Sequence, residues 1–460
     1  MLKIGSFDWR QLTRSLIEQQ YKAEIKPLEL KRKDLDETKK ALEQLRSKLQ
    51  TIDGSVQRFR EVNGGFLEKK AESSNSSVLT GLASGLATTG SFSVSVSSVA
   101  KAGSVTTGIS ASSQTSPIFS GLDDTEPASN RTLTLTIGTG SNATTLNIVV
   151  SSQTSLNDLR DYINANLPST VGKAVIVNTG TSSNPTYELM IQANQTGIDK
   201  GSVSLTTNSS LSQLQNFVSS STTMAASNAV FSINGISFTR ETNVVSDAIP
   251  GVELNLKNIG NASLTVSVDA DKTADKVADF VNAYNEMLRF FKSKNEVDVS
   301  KSNASGPLRN SGSDDKAIEQ LRSMISGVST QENGNSFKLA YFGVTTDSKT
   351  GELVFDREQF KARLSENSER VKTFFEKFGN DIGHPVDGMQ KLFNSSSPYQ
   401  FSINNLRDEG DKLTQTIDHK YNKLKEEEQI LISRFSSIEK LQSRLQGALS
   451  VLSSLQTRLF

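Results

Sequence analysis

Ile417, Leu424, Leu431, Ile438, Leu445, Leu452 and Leu459 fall seven residues apart without a break. A seven-residue apolar repeat draws one stripe along one helix and drives a left-handed supercoil with another helix. Tyr421, Phe435 and Leu449 widen the stripe at +4, and Leu441 and Leu455 widen it at +3. No proline follows Pro398, and Gly410 and Gly447 are the only later glycines. The repeat predicts a helix from Leu413 to Phe460, roughly 70 Å long at ~1.5 Å per residue. A small domain cannot bury so long a stripe alone. Its partner is the N-terminal helix of the same chain, another subunit, or both.

The other end of the chain carries a matching signal. Leu28, Leu35, Leu42, Leu49 and Val56 recur every seven residues, and Leu45, Ile52 and Phe59 form a second series offset by three. From Leu42 this is an a/d pattern. Pro27 predicts the helix start, where a missing N–H costs nothing, and Asn63-Gly64-Gly65 predicts the stop. The expected coiled-coil and assembly positions are therefore Leu42, Leu45, Leu49, Ile52, Val56 and Phe59, with Ile417, Leu424, Leu431, Ile438, Leu445, Leu452 and Leu459. Trp9, the only tryptophan, sits with Phe7, Leu12, Leu16 and Ile17 in an amphipathic segment. That stripe suits either the chain's own C-terminal helix or another chain. The basic run Lys31-Arg32-Lys33 is answered by Asp34, Asp36 and Glu37, which marks a solvated helix face rather than a membrane-binding one.

Between the ends the chemistry changes. Residues 71–230 hold 13 charged side chains, against 87 in the other 300 positions. Ser, Thr, Asn and Gly take their place. Such a composition is compatible with disorder, but period-2 alternation favours strands with polar outer faces. Phe92, Val94 and Val96 alternate with serines, and Leu133, Leu135 and Ile137 with threonines; Leu146, Ile148 and Val150 continue the pattern. Asn234-Gly235 between Phe231-Ser-Ile233 and Ile236-Ser-Phe238 predicts a type I′ hairpin. Ser155 and Asp158 are spaced as a capping box. Helical spacing returns at Val277–Phe291, at Ile318–Ile325 and at Val371–Phe378, the last after a turn at Asp347–Gly351.

The expected fold class is multidomain α+β, with terminal α-helical coiled-coil legs and β-rich head domains inserted between them. Leg segments are expected at 1–35 and 425–460. A helical stalk with a small β-hairpin is expected at 36–77 and 270–424. One β-rich head domain takes 78–115 and 226–269, and a second, 116–225, is inserted into it. Strands near 91–105 and 230–268 are expected to pair and flank that insertion.

Catalytic chemistry is hard to find. The chain has no cysteine, which excludes disulfides, thiolate catalysis and Cys-ligated metal. Its histidines are His384 and His419: one precedes Pro385 in a Gly-rich loop, the other lies on the polar side of the C-terminal helix. There is no phosphate loop, dinucleotide fingerprint, H-E-x-x-H or G-x-S-x-G. Ser98-Val-Ala-Lys101 and Lys349-Thr-Gly351 match two elements of a penicillin-binding enzyme, but the S-D-N element is missing; they read as a strand edge and a hairpin turn. Asp269-Ala-Asp271 and Asp314-Asp315 are read as helix caps rather than calcium ligands. Lys plus Arg and Asp plus Glu are 50 each, so no basic excess points to nucleic acid. The opening ten residues lack the apolar core of a secretory signal, and no apolar run is long enough to span a membrane. The expectation is a chain without catalysis, cofactor or metal, built for assembly.

Over nearly its whole length the sequence resembles the flagellar hook-associated protein 2 (filament cap) family. The residues that carry the resemblance are Lys26-Pro-Leu28 with the heptads after it, Ser76–Leu79, Gly90–Val96 and Phe231–Gly235. They continue through Asn243-Val-Val245, Ile249–Leu256, Val266–Asp269 and Phe280-Val-Asn-Ala-Tyr-Asn285 to Gly306–Leu308, Phe342–Thr345, Gly351–Asp356 and Arg434–Phe460. Residues 131–197 resemble a module of flagellin-like and hook-associated proteins. Gly5-Ser-Phe-Asp-Trp9 departs from the family's usual N-terminal stretch. The resemblance implies a structural protein exported by the flagellar secretion apparatus, shielded beforehand by a cytoplasmic export chaperone. Outside the cell it implies a ring-like homo-oligomer at the distal filament tip, beyond the hook-associated junction proteins, that retains flagellin and promotes its insertion. A hook–filament junction or flagellin-like subunit, and a surface adhesin with a polar β-rich head, remain open alternatives.

Overall fold

The structure, a computed structural model, describes residues 9–295, 297–298, 304–305, 307–308, 313–384 and 388–456. The chain divides into two compact units. One combines the residues up to Phe66 with those from Ala274 onward; the other is Leu67–Thr273. Long helices at both ends therefore flank a β-rich middle.

The N-terminal path begins with α1 (Trp9–Gln20), passes through a π-helical segment (Tyr21–Ile25) and continues as α2 (Lys26–Gln57). Pro27 stands in the first turn of α2, as its position suggests, but the helical path begins upstream of it, with α1 and the π segment. It sits just beyond the π segment, where a missing N–H is tolerated.

The β-rich unit holds two hydrophobic cores. The first lies between a five-stranded and a three-stranded antiparallel sheet. Its strands are β1 (Lys69–Ser73), β2 (Leu79–Ala83) and β3 (Gly90–Ser98), then, after the inserted segment, β11 (Ala229–Ile233) to β15 (Gly260–Val268). Strand β3 pairs with both β11 and β15, so the expected pairing across the insertion is present. Val94 and Val96 point into this core with Phe231, Leu254 and Leu264. The sheets meet closely at Gly81, where a Cβ would stand 2.9 Å from Leu264 Cδ1. Asn234 and Gly235 take positive φ in the predicted hairpin, which joins Ile233 to Ile236.

The inserted segment runs from β4 (Ser104–Thr106) through β5 (Thr132–Ile137), β6 (Thr144–Val149), α3 (Leu156–Asn166), β7 (Gly172–Asn178) and β8 (Tyr187–Ala193). It continues through α4 (Ile198–Gly201), β9 (Val203–Thr207) and α5 (Ser212–Ser219) to β10 (Thr222–Met224). Leu133, Leu135 and Ile137 are buried and the threonines between them are not, as the alternation requires. Ser155 caps α3 reciprocally with Asp158. Strand β4 pairs with β8 and β10, and Val105 and Ala111 belong to this second core. Residues 104–111 therefore pack with the insertion.

In the helical unit, α6 (Ala270–Asn295) is followed by the short strands β16 (Val297–Asp298) and β17 (Ala304–Ser305) and by α7 (Ser313–Gly327). Two hairpins follow, β18 (Thr330–Glu332) with β19 (Asn335–Phe337) and β20 (Val344–Thr346) with β21 (Leu353–Phe355). Next come α8 (Arg357–Glu366) and α9 (Ser368–Ile382). The last helix, α10 (Pro398–Gln456), has 59 residues and is about 90 Å long at ~1.5 Å per residue. It starts fifteen residues before the expected Leu413, because Ile403 extends its buried face upstream of the heptads. Phenylalanines fill the core of this unit. Phe59, Phe66, Phe280, Phe360, Phe374, Phe375 and Phe378 have no exposed side chain. Phe66 stacks on Phe375 at 4.3 Å, and Phe59 meets both edge-on.

Candidate assembly surface

The terminal helices pair antiparallel, and their cross-links share one register. Trp9 stacks on Phe435, Gln20 donates to Glu427 (3.1 Å) and Lys420 bridges Glu24 (2.6 Å). Farther along, Lys31 meets Glu409 (2.9 Å) and Arg46 donates to Gln400 (2.6 Å). At the centre of the pair one carboxylate holds two phenols: Tyr21 donates to Glu29 Oε2 (2.7 Å) and Tyr421 to Oε1 (2.9 Å). These hydrogen bonds hold the Glu29 carboxyl below its ordinary range, and they push Tyr21 up to about 12. Lys420 likewise lowers Glu24.

The two stripes have different fates. Leu42, Leu45, Leu49, Ile52, Val56 and Phe59 have zero exposure within their own unit. In this chain they hold α2 in the core. Ile417 is buried, and Leu424 and Leu431 are half-buried along α10. Ile438 is 41% exposed, Leu445 57% and Leu452 62%. Leu459 lies outside the described residues. The stripe therefore passes from an internal seam to an open surface near Phe435. Its chemistry changes there too. Before that point the +3 positions are Lys420, Glu427 and Arg434; after it they are Leu441 and Ala448. Charged +3 positions at seven-residue spacing were a sequence sign of the paired part, and Lys420 and Glu427 use that charge to reach Glu24 and Gln20.

Beside the pair lies a groove of about 690 Å³ lined by Leu16, Gln20, Ala23, Glu24, Ile430 and Arg434, among others. Open apolar helix and an open groove suit protein packing. The residues weighed for catalysis have structural places. His419 is exposed on α10, and the His384 carbonyl accepts the Gly388 N–H. Lys349–Gly351 is the turn between β20 and β21, organised by the Asp347 carboxylate. Asp269 accepts the Lys272 N–H at the start of α6. Among the described residues no group of His, Asp and Glu could hold a metal ion.

Two sequence models of one family match the chain in order. The flagellar hook-associated protein 2 N-terminus matches residues 5–103, and the C-terminus matches residues 226–447.

The chain belongs to the flagellar hook-associated protein 2 family.

Other flagellar hook-associated protein 2 sequences agree with that assignment. The B-type protein of Pseudomonas aeruginosa is 25% identical over 81% of this chain and 79% of its own length. The A-type protein of Pseudomonas aeruginosa is 28% identical over 85% and 82%. The crystal structure of the flagellar cap protein D1-D2-D3 domains from Escherichia coli has the same fold, with a TM-score of 0.58 and 24% identity. It covers 80% of this chain and 99% of that one. A hook-associated protein 2 is structural, and the chain is not an enzyme.

Proposed function

We propose that the open end of α10 is the working surface of a filament cap. As a hook-associated protein 2, the chain acts outside the cell at the distal end of the flagellar filament and assists flagellin assembly there. The observation that carries the finer reading is the exposed run Ile438, Leu441, Leu445, Leu449 and Leu452 along α10. A stripe of this kind is left open for other chains. Copies of the chain form a ring-like homo-oligomer next to which flagellin folds. The two β-cores act as the head that retains it, and the terminal helices act as legs on the filament. Hook-associated junction proteins, the flagellar export apparatus and a cytoplasmic export chaperone complete the partners. Helical packing without covalent change lets a leg leave one site and take the next.

Deleting the gene tests the role. Hooks without filaments and unpolymerised flagellin in the medium are expected; normal filaments would refute it. Complementation with Leu445→Asp separates the surface from the role. The variant protein is expected to be exported but to leave cells poorly motile.

A further inference from the structure

The N-terminal helix changes its winding between α1 and α2. There the Lys26 N–H donates to the carbonyl of Tyr21, five residues back instead of four. A π segment of this kind carries one residue more than the α-helix that would replace it. Pro27 supplies a cause. In an α-helix its ring would press on the carbonyl of Ala23, four residues back, and it has no N–H to offer. The wider turn relieves both.

The side of α1 that meets α10 carries Trp9, Thr13, Ile17, Tyr21 and Ile25, each buried or half-buried. They stand four apart. A step of four overshoots a 3.6-residue turn by about 40° each time, and the π segment takes that drift back before the heptads begin at Leu28. The first four of these residues are each followed by an exposed charged one: Arg10, Arg14, Glu18 and Lys22. If residues 21–25 closed to α geometry with α2 fixed, every residue of α1 would take the place of the one before it. The line Arg10, Arg14, Glu18 and Lys22 would then face Phe435 and Leu431. Lys22 would also occupy the place of Tyr21 and break its bond to Glu29.

We propose that the π segment Tyr21–Ile25 is a two-state latch. In its π form it presents the apolar line and docks α1 on α10. In its α form it presents the charged line and releases α1, uncovering Trp9, Ile17, Leu431 and Phe435. Pro27 biases the latch to the docked form. A partner that binds the uncovered strip of α10 draws it to the released form, because it has affinity for that state alone. The latch stands on the geometry of this chain and does not depend on the capping role.

Replacing Pro27 tests it, because Pro→Ala inside a helix ordinarily stabilises the helix. Here Pro27→Ala is expected to loosen α1. Trp9 emission should move to longer wavelength, and amides of residues 10–25 should lose hydrogen-exchange protection, while those of α6 and α9 keep theirs. Deleting Ala23 in the same variant removes the extra residue and returns Trp9, Thr13, Ile17 and Tyr21 to the seam, so both signals should recover. Unchanged Trp9 emission in Pro27→Ala overturns the proposal. So does failure of the Ala23 deletion to restore the signals, which is also what a variant that merely unfolds would show.

Discussion

Trp9 lies nearly flat on Phe435, with ring centroids 4.9 Å apart and planes 18° from parallel. The two rings come from opposite ends of the chain and, among the described residues, are the outermost ring pair of the internal seam. Phe435→Ala removes the stack, and pairs of this kind contribute ~0.5–1.5 kcal/mol beyond their buried area. The expected result is a red-shifted emission from the single tryptophan, with the core of the helical unit intact by circular dichroism. Unaltered emission would show that the terminal helices separate in solution.

Glu29 makes the same pairing pH-dependent in both directions. Its carboxyl is lowered by the two phenols, so this contribution is present above the ordinary carboxyl value of 4.5 and is lost as pH falls through the lower folded value. Tyr21 is raised from 10.0 to about 12, so its contribution is full below 10 and is lost as pH rises through about 12. Docking of α1, read by Trp9 emission, should therefore be flat between those limits and fall off outside them. In Glu29→Gln the alkaline loss should begin nearer pH 10, seen as earlier tyrosinate absorbance. An unmoved tyrosinate titration would contradict the bridge.

Phe59 and Leu445 both stand on a heptad stripe, with opposite burial. Phe59 is fully buried in the helical core, packing on Phe66, Phe280, Phe375 and Phe378. Phe59→Ala should cost about 3–5 kcal/mol in chemical denaturation. Leu445→Asp alters a residue that is 57% exposed, so monomer stability should change by less than ~1 kcal/mol. Its effect should appear in oligomer mass by sedimentation and in motility. Equal losses of stability in the two variants would mean that the α10 stripe is not open.

Asn285 imitates a strand. Its side chain accepts the Leu353 N–H and donates to the Leu353 carbonyl, both at 2.7 Å, and it is buried. It thereby ties the β20–β21 hairpin to α6. Asn285→Ala leaves both backbone groups unpaired and should cost about 2–6 kcal/mol, at ~1–3 kcal/mol for each orphaned group. Faster hydrogen exchange at Leu353 is the direct check. Asn243 does the same for Ala100 in the β-rich unit, with bonds of 2.7 and 2.9 Å. Both asparagines fall in the runs that carry the family resemblance, and these bonds give a physical reason for their presence.

Much of the fold was legible because periodicity is a local property. Seven-residue spacing drew α2 and α10, alternation drew β3 and β5, and Asn234-Gly235 drew its hairpin, each from neighbours in the chain. The start of α10 was misplaced because the helix upstream of the heptads is held by tertiary contacts such as Arg46 with Gln400. Pro27 does open α2, but its continuity with α1 was not legible, because a π segment accommodates the proline inside one continuous helical path.

What the sequence alone determined is which residues share a face: the apolar line of α2, the apolar line of α10, the inward side of each strand. Only the tertiary structure decided what covers those faces. Leu42 and Leu445 follow the same spacing rule, yet one is wholly buried and the other open. The reason is physical. Periodicity sets the direction of a side chain about its own helix axis, whereas burial depends on whether another element stands opposite: α2 has α9 and α10 beside it, while the stripe of α10 from Ile438 to Leu452 lies exposed.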